Sequence, residues 1–244
     1  MGPNGMDNRL ESCRKAVVDL GSVHAPKERH PTRWFPWGRR LIVFSREIPS
    51  RHYRLPVRSR NRAFREEIRA VELLLEEEVQ HLQDEDARAV AVPVFFPVFL
   101  ADGKMRGMLS LRDLAADAGI GTIGRNGLLL VPGSGCRAAL GAVVTDADLP
   151  LVRPPERVRC LECGRCWAAC PAGVIGPWGV DPFRCRNVSS LTPGPLNRVL
   201  RWSAKGGIAA RVVSPLVNAA ACHAPMPCSI CVTVCPHSGM DEKR

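Results

Sequence analysis

Cys160-Leu161-Glu162-Cys163-Gly164-Arg165-Cys166-Trp167-Ala168-Ala169-Cys170-Pro171 is a complete CxxCxxCxxxCP run, and Cys228-Ser229-Ile230-Cys231-Val232-Thr233-Val234-Cys235-Pro236 repeats most of it further along the chain. Cysteines at these intervals are spaced for iron-sulfur clusters. A tight CxxCxxC loop aims three sulfurs at three irons of one cubane, while the cysteine four residues on points away, towards a second cluster. The proline that follows breaks any helix there. Two 4Fe-4S clusters on about eight thiolates is the first reading.

The second run is one ligand short. Laid on the first, it has the second, third and fourth cysteines, but its first position falls on Pro225. Two cysteines could supply the missing sulfur: Cys185, in Asp181-Pro182-Phe183-Arg184-Cys185, or Cys222, just upstream of the gap. Disulfides and zinc are the competing readings. Disulfide scaffolds are typically short secreted chains, and no signal peptide stands at this N-terminus. Zinc sites usually come as separated CxxC pairs. Clusters in a reducing cytoplasm fit better.

The chain has 244 residues, 45% of them hydrophobic, which is more than a bare two-cluster ferredoxin requires and enough for a real core. The longest apolar stretch, 196–221, is broken by Arg198, Arg201, Lys205, Gly206, Gly207 and Arg211. It falls short of the roughly eighteen consecutive apolar residues of a spanning helix, so no membrane insertion is expected. A net charge of +10 is concentrated early, in Arg39, Arg40, Arg46, Arg51, Arg54, Arg58, Arg60, Arg62 and Arg65. Such a strip suits nucleic acid, an anionic cofactor or an acidic redox partner; the plainer reading is a solvated loop whose arginines pair with the glutamates that follow. With Tyr53 as its one aromatic residue, it lacks stacking platforms for a single strand.

Residues 1–34 read as an irregular lead-in with a short helix around Ala16 to Leu20. Residues 35–150 alternate strand and helix: Leu41 to Phe44 suits a buried strand, and from Arg62 the residues Phe64, Ile68, Val71, Leu75, Val79 and Leu82 recur at helical steps. Ala89 to Phe96 suits an edge strand, given Pro93. Ser110 and Asp113 form a capping-box pattern before a helix that Gly119 stops. Leu128 to Val131 and Arg137 to Thr145 read as two strands of one hairpin about Pro132-Gly133-Ser134-Gly135. Residues 151–244 carry the cysteines. Gly119-Ile120-Gly121-Thr122-Ile123-Gly124 matches GxGxxG, but a helix precedes it and a strand follows, the reverse of a dinucleotide fingerprint. Its glycines allow close backbone approach to a ligand or to the fold itself, with Arg125 and Asn126 as neighbouring donors.

Taken together as an ordered set, Leu114 to Asn126, Leu128 to Leu130, Leu140-Gly141, Thr145-Asp146 and the cysteine segments resemble the epoxyqueuosine reductases and their cobalamin-dependent relatives, including reductive dehalogenases. The resemblance implies an α+β protein: a nitroreductase-like, corrinoid-binding α/β domain over 35–150, then a ferredoxin-like domain with two 4Fe-4S clusters over 151–244. It implies that Cys185 completes the second cluster. The ligand sets are then Cys160, Cys163, Cys166 and Cys235 for one cluster and Cys170, Cys185, Cys228 and Cys231 for the other. It also implies cobalamin near Gly119, Gly121, Gly124, Arg125 and Asn126, with a ferredoxin, flavodoxin or flavoprotein as electron donor.

Three departures qualify the expectation. The family's aspartate proton donor falls on Met105, leaving Asp102 as a weak catalytic candidate. The sequence given ends at Arg244, short of the helical repeats of tRNA-acting members, so a tRNA substrate is weakly supported. Thr122 stands where an aromatic residue is common. The leading expectation is an iron-sulfur oxidoreductase passing single electrons to a corrinoid or to substrate. The alternatives are a non-enzymatic electron carrier or corrinoid-activating protein, and a nucleic-acid-binding iron-sulfur protein.

Overall fold

Leu41, Ile42, Val43 and Phe44 are all fully buried, as a strand covered on both faces requires. The computed structural model describes residues 13–25, 30–92, 98–101, 104–107, 109–177, 179–189 and 226–240, with backbone alone at 98–101, 104–107, 188 and 189. Its elements begin with β1 (Cys13–Asp19), β2 (Arg40–Glu47), α1 (Ser50–Tyr53), α2 (Val57–Asp84), β3 (Ala89–Val92), β4 (Val98–Ala101), β5 (Lys104–Gly107) and α3 (Leu111–Asp117). They continue with β6 (Thr122–Ile123), β7 (Leu129–Leu130), β8 (Ala138–Thr145), α4 (Arg165–Ala168), β9 (Ile175–Gly176), β10 (Gly179–Val180), α5 (Arg186–Ser189) and α6 (Ile230–Thr233). The protein is mixed helix and strand.

One four-stranded sheet, in the order β1-β2-β8-β3, organises the first part. Every pairing in it is antiparallel, which removes the dinucleotide-fold reading of the glycine loop. Alternation splits each strand between two cores. Ala16, Val18, Leu41, Val43, Ala142 and Val144 face α3 through Leu114, Ala115 and Ala118. Val17, Ile42, Phe44 and Val143 face α2 through Phe64, Val71, Leu75 and Leu82. Full burial of each large apolar side chain contributes roughly 1.5–3 kcal/mol. Helix α2 crosses the sheet at Gly141, where a Cβ would stand 2.7 Å from Val71 Cγ1 and 2.9 Å from Leu75 Cδ1.

Three local expectations are corrected. Ala16 to Leu20 does not begin a helix; Ala16, Val17 and Val18 lie in β1, because an apolar run this short takes its form from the partner it pairs with, here β2. The hairpin over 128–145 does not form either. Val131 and Gly135 close a tight loop, but β7 pairs with β6, since both edges of β8 are already occupied by β2 and β3. Ser110 makes no side-chain cap on α3. Instead Asp113 accepts from Arg112, whose Nη1 also donates to the Gly127 carbonyl at 2.8 Å.

Among its described residues the cysteine segment has four-residue helices and two-residue strands, and it is tied to the sheet at named points. Val17 and Val152 exchange backbone hydrogen bonds at 2.8 and 2.9 Å. Buried Arg137 donates from Nε to the Ser238 carbonyl at 2.8 Å and from Nη1 to Glu47 and the Ile48 carbonyl. Buried Arg60 reaches the carbonyls of Met226 and Pro227 at 3.1 and 3.0 Å. Gly135 has φ +59, and a Cβ there would lie 2.5 Å from the His237 backbone; that position needs glycine for both reasons. Among the described residues no helix is long and apolar enough to cross a membrane.

Candidate metal centre

Cys160, Cys163, Cys166 and Cys235 line one cavity of about 380 Å³, counted with its open mouth, alongside Gly124, Arg125 and Asn126. Three of these sulfurs come from the first run and the fourth from the second, the crossover that ferredoxin-like spacing calls for. His237 links the same two segments, its Nε2 lying 2.9 Å from the Arg159 carbonyl. Burial pushes the Cys166 thiol up; the Trp167 N–H opposes this, while the sulfurs of Cys160 and Cys235 reinforce it.

Cys231 lies in the field of sulfurs from both sets. Its thiol is pushed up to about 12, first by burial and then by the charges of Cys228, Cys185, Cys166 and Cys170. Cys185 is therefore within electrostatic reach of the second group. Its segment is also clamped there: Asn187 donates from Nδ2 to the Cys228 carbonyl and accepts from the Cys228 N–H, both at 2.9 Å. Cys170 shows the opposite shift. Burial pulls its thiol up, but the N–H groups of Val174, Ala172, Ile175 and Gly173 outweigh that and hold it below the usual thiol range. Several amides aimed at one sulfur make a seat for a thiolate.

Four thiols brought to one cavity from two segments are a donor set that fits a four-iron cluster. Among the described residues no three His, Cys, Asp or Glu side chains converge as the ligands of one metal ion would. A four-iron cluster takes one thiolate per iron, so its ligands ring a volume. Crowded thiols that raise one another's pKa are relieved when iron binds them as thiolates. The ten described cysteines are all free, so none of them forms a disulfide.

A buried hydrogen-bond network joins the sheet to this centre. Asn126 donates from Nδ2 to Cys136 Sγ at 3.2 Å and to the Cys231 carbonyl at 3.3 Å, and its Oδ1 accepts from the Leu128 N–H at 3.1 Å. Cys136 donates in turn to Cys235, so the Cys136 thiol is pushed up and Cys235 is held below the usual thiol range. Sequence alone leaves Cys136 as a spare cysteine and offers no signal for Arg137 or Asn187.

The glycines of the loop have roles within the fold itself. Gly119 has φ +83 and closes α3, with the Gly119 and Ile120 N–H groups bonded to the Ala116 and Ala115 carbonyls. At Gly121 a Cβ would stand 2.0 Å from the Leu130 carbonyl oxygen, so β7 itself needs the glycine. Gly124 packs against Asn126 and Leu130. Asn126 is committed inside the protein. Arg125 lies over the Trp167 ring at 6.0 Å and 3.9 Å from Glu162, at the rim of the cysteine cavity. Gly119, Gly121 and Thr122 border a second cavity, of about 1010 Å³ counted with its open mouth, together with His24, Asp117, Arg153 and Arg157. Met105 pairs with Leu100 across β4 and β5, while Asp102, Cys222 and Pro225 lie outside the described residues.

No family model matches the chain. Among curated proteins it is 40% identical over 82 residues to the epoxyqueuosine reductase of Yersinia pestis, covering 33% of this chain and 19% of that protein. It is 44% identical over 72 residues to the one from Synechococcus, covering 29% and 22%. Over these stretches the chain is similar to epoxyqueuosine reductases. The matched stretch spans about a fifth of those curated relatives' own length. The fold agrees: an epoxyqueuosine reductase solved with an epoxyqueuosine-modified tRNA-Tyr stem loop superposes with a TM-score of 0.59 at 18% identity, covering 99% of this chain and 67% of that one. A reductive dehalogenase described with a mechanism for B12-dependent dehalogenation superposes with a TM-score of 0.50 at 14% identity, covering 94% and 34%.

Proposed function

We propose that this chain is an iron-sulfur oxidoreductase unit of the epoxyqueuosine-reductase type. It would hold one 4Fe-4S cluster on Cys160, Cys163, Cys166 and Cys235 and a second on Cys170, Cys185, Cys228 and Cys231. A four-iron cluster supplies one-electron storage and transfer at a potential set by hydrogen bonds and burial. Around it, the backbone amides at Cys170 and the donor Cys136 at Cys235 stabilise negative sulfur. The observation that carries the reading is the meeting of sulfurs from both runs: Cys235 shares a cavity with the first three, and the segment of Cys185 is held to Cys228 by the two Asn187 hydrogen bonds.

The electron acceptor is a corrinoid or the substrate itself. Family resemblance and the fold shared with a B12-dependent dehalogenase support the corrinoid. Met105 at the family's aspartate position favours a second reading, a carrier or corrinoid-activating protein without its own acid. A tRNA substrate has the support of the relatives' names alone.

Anaerobic reconstitution with iron and sulfide analysis tests the centre. About eight irons per chain are expected in the parent and in Cys222→Ser, and about four in Cys185→Ser. Four irons in the parent would end the two-cluster reading, and loss in Cys222→Ser in place of Cys185→Ser would reverse the ligand assignment. Cobalamin that stays bound through gel filtration and changes its spectrum on reduction marks the enzyme; cobalamin that elutes separately marks the carrier.

A further inference from the structure

The arginine strip divides in the folded protein. Arg40 pairs with Asp19 and Asp148, and Arg46 pairs with Glu67. Arg60 turns inward to the loop before Cys228. Arg51, Arg54, Arg58, Arg62 and Arg65 are all exposed on α1, the turn that follows it and the first turns of α2, and among the described residues none of them has a carboxylate within ion-pair distance. Pairing with the glutamates that follow therefore does not account for them.

Their placement also runs against helix electrostatics. From Pro49 to Arg65 there are six arginines and no acidic residue, whereas from Glu66 to Asp86 nine carboxylates face Arg69 as the lone Lys or Arg. The helix dipole favours the reverse, acids at the N-terminal end and bases at the C-terminal end. No acidic residue offsets the first turn of α2. A local arrangement that the helix itself disfavours points to a requirement outside the helix.

We propose that Arg51, Arg54, Arg58, Arg62 and Arg65 form the docking surface for an acidic one-electron donor protein, whose electrons enter at the cysteine group containing Cys228. This rests on the reading that the cysteines hold clusters. Arg60 donates to the Met226 and Pro227 carbonyls, and Asn61 Oδ1 accepts from the Met226 N–H at 3.2 Å, so the helix and the Cys228 loop are joined at the base of this face. Leu55 and Val57 are exposed among the arginines, at 37% and 39%, an apolar centre within a charged rim. The strip's one aromatic, Tyr53, is buried, which leaves no stacking platform for unpaired bases and favours an acidic protein over single-stranded nucleic acid. In the transfer, one electron leaves the reduced donor and enters the oxidised cluster, with no bond or proton exchanged.

The test uses the reconstituted protein and a photoreduced plant-type ferredoxin, an acidic one-electron donor, in stopped flow. The double variant R58E/R62E is expected to lower the second-order rate constant at low salt by about tenfold or more and to flatten its salt dependence. Iron content and reduction by photoreduced deazaflavin, a small uncharged donor, stay at parental values. An unchanged ferredoxin rate overturns the proposal. So does an unchanged ferredoxin rate accompanied by lost binding of an RNA stem loop, which would assign the surface to nucleic acid. A parent that takes up no iron would instead remove the cluster reading, an outcome the iron analysis separates from failure of docking.

Discussion

The sheet with its helices and the cysteine segment are stabilised by different means. In the first, β2 and β8 are buried on both faces, and α2 and α3 cover the two sides with Leu, Val and Phe. In the second, among the described residues, the buried apolar side chains are Val174, Ile175, Phe183 and Val232, and no helix exceeds four residues. Helices that short do not persist in water on their own. What fills the centre of the second region is a set of sulfurs with mutually raised or amide-lowered pKa values. The lesson is that apolar burial organises one part of the chain, while the described residues of the other are arranged around sulfurs that the proposed clusters would tie together.

The widest separation between the two regions is expected on removing iron. Chelation of the reconstituted protein should abolish hydrogen-exchange protection across residues 160–189 and 226–240, while β2, β8 and the central turns of α2 stay protected. Simultaneous loss in both regions would break the comparison. Next in size, Leu75→Ala opens a cavity between α2 and the sheet. It should lower stability by about 2–5 kcal/mol in denaturant unfolding and leave the iron content unchanged. Loss of iron in step with stability would show that the cysteine segment draws its order from the sheet.

What could be read in the sequence follows the range of the interaction involved. Helix α2 was legible because Phe64, Val71, Leu75 and Leu82 fall on one face through a repeat that needs no knowledge of the partner. The cysteine runs were legible because ligand spacing is set by local sterics. Strand β1 was not, since Ala16 to Val18 becomes extended only by pairing with Val43 to Leu41. The hairpin failed for a similar reason, the occupied edges of β8. Gly121 could serve a ligand or the fold by sequence alone, and the approach of Leu130 shows that the fold itself needs it. The Asn126, Cys136 and Cys231 contact joins three separate segments, so no motif could announce it.

The smallest predicted effect tests whether the second region depends on fine positioning as well as on iron. Asn187 holds Cys228 by two hydrogen bonds at 2.9 Å, one to each side of its peptide backbone. Asn187→Ala removes both without touching a sulfur. Two such bonds contribute about 1–3 kcal/mol together, and loss of an outer partner of a metal ligand typically costs 10–100-fold in affinity. The variant should therefore still take up about eight irons but lose them to a chelator roughly tenfold faster. Unfolding of the sheet, followed by the same denaturant titration as Leu75→Ala, should stay at the parental midpoint. If the midpoint falls with iron retention, the seam made by Arg60, Arg137 and Asn126 carries the coupling, and the two regions act as one cooperative unit. If only iron retention falls, Asn187 acts on the centre alone, and the cysteine segment owes its geometry to its own hydrogen bonds.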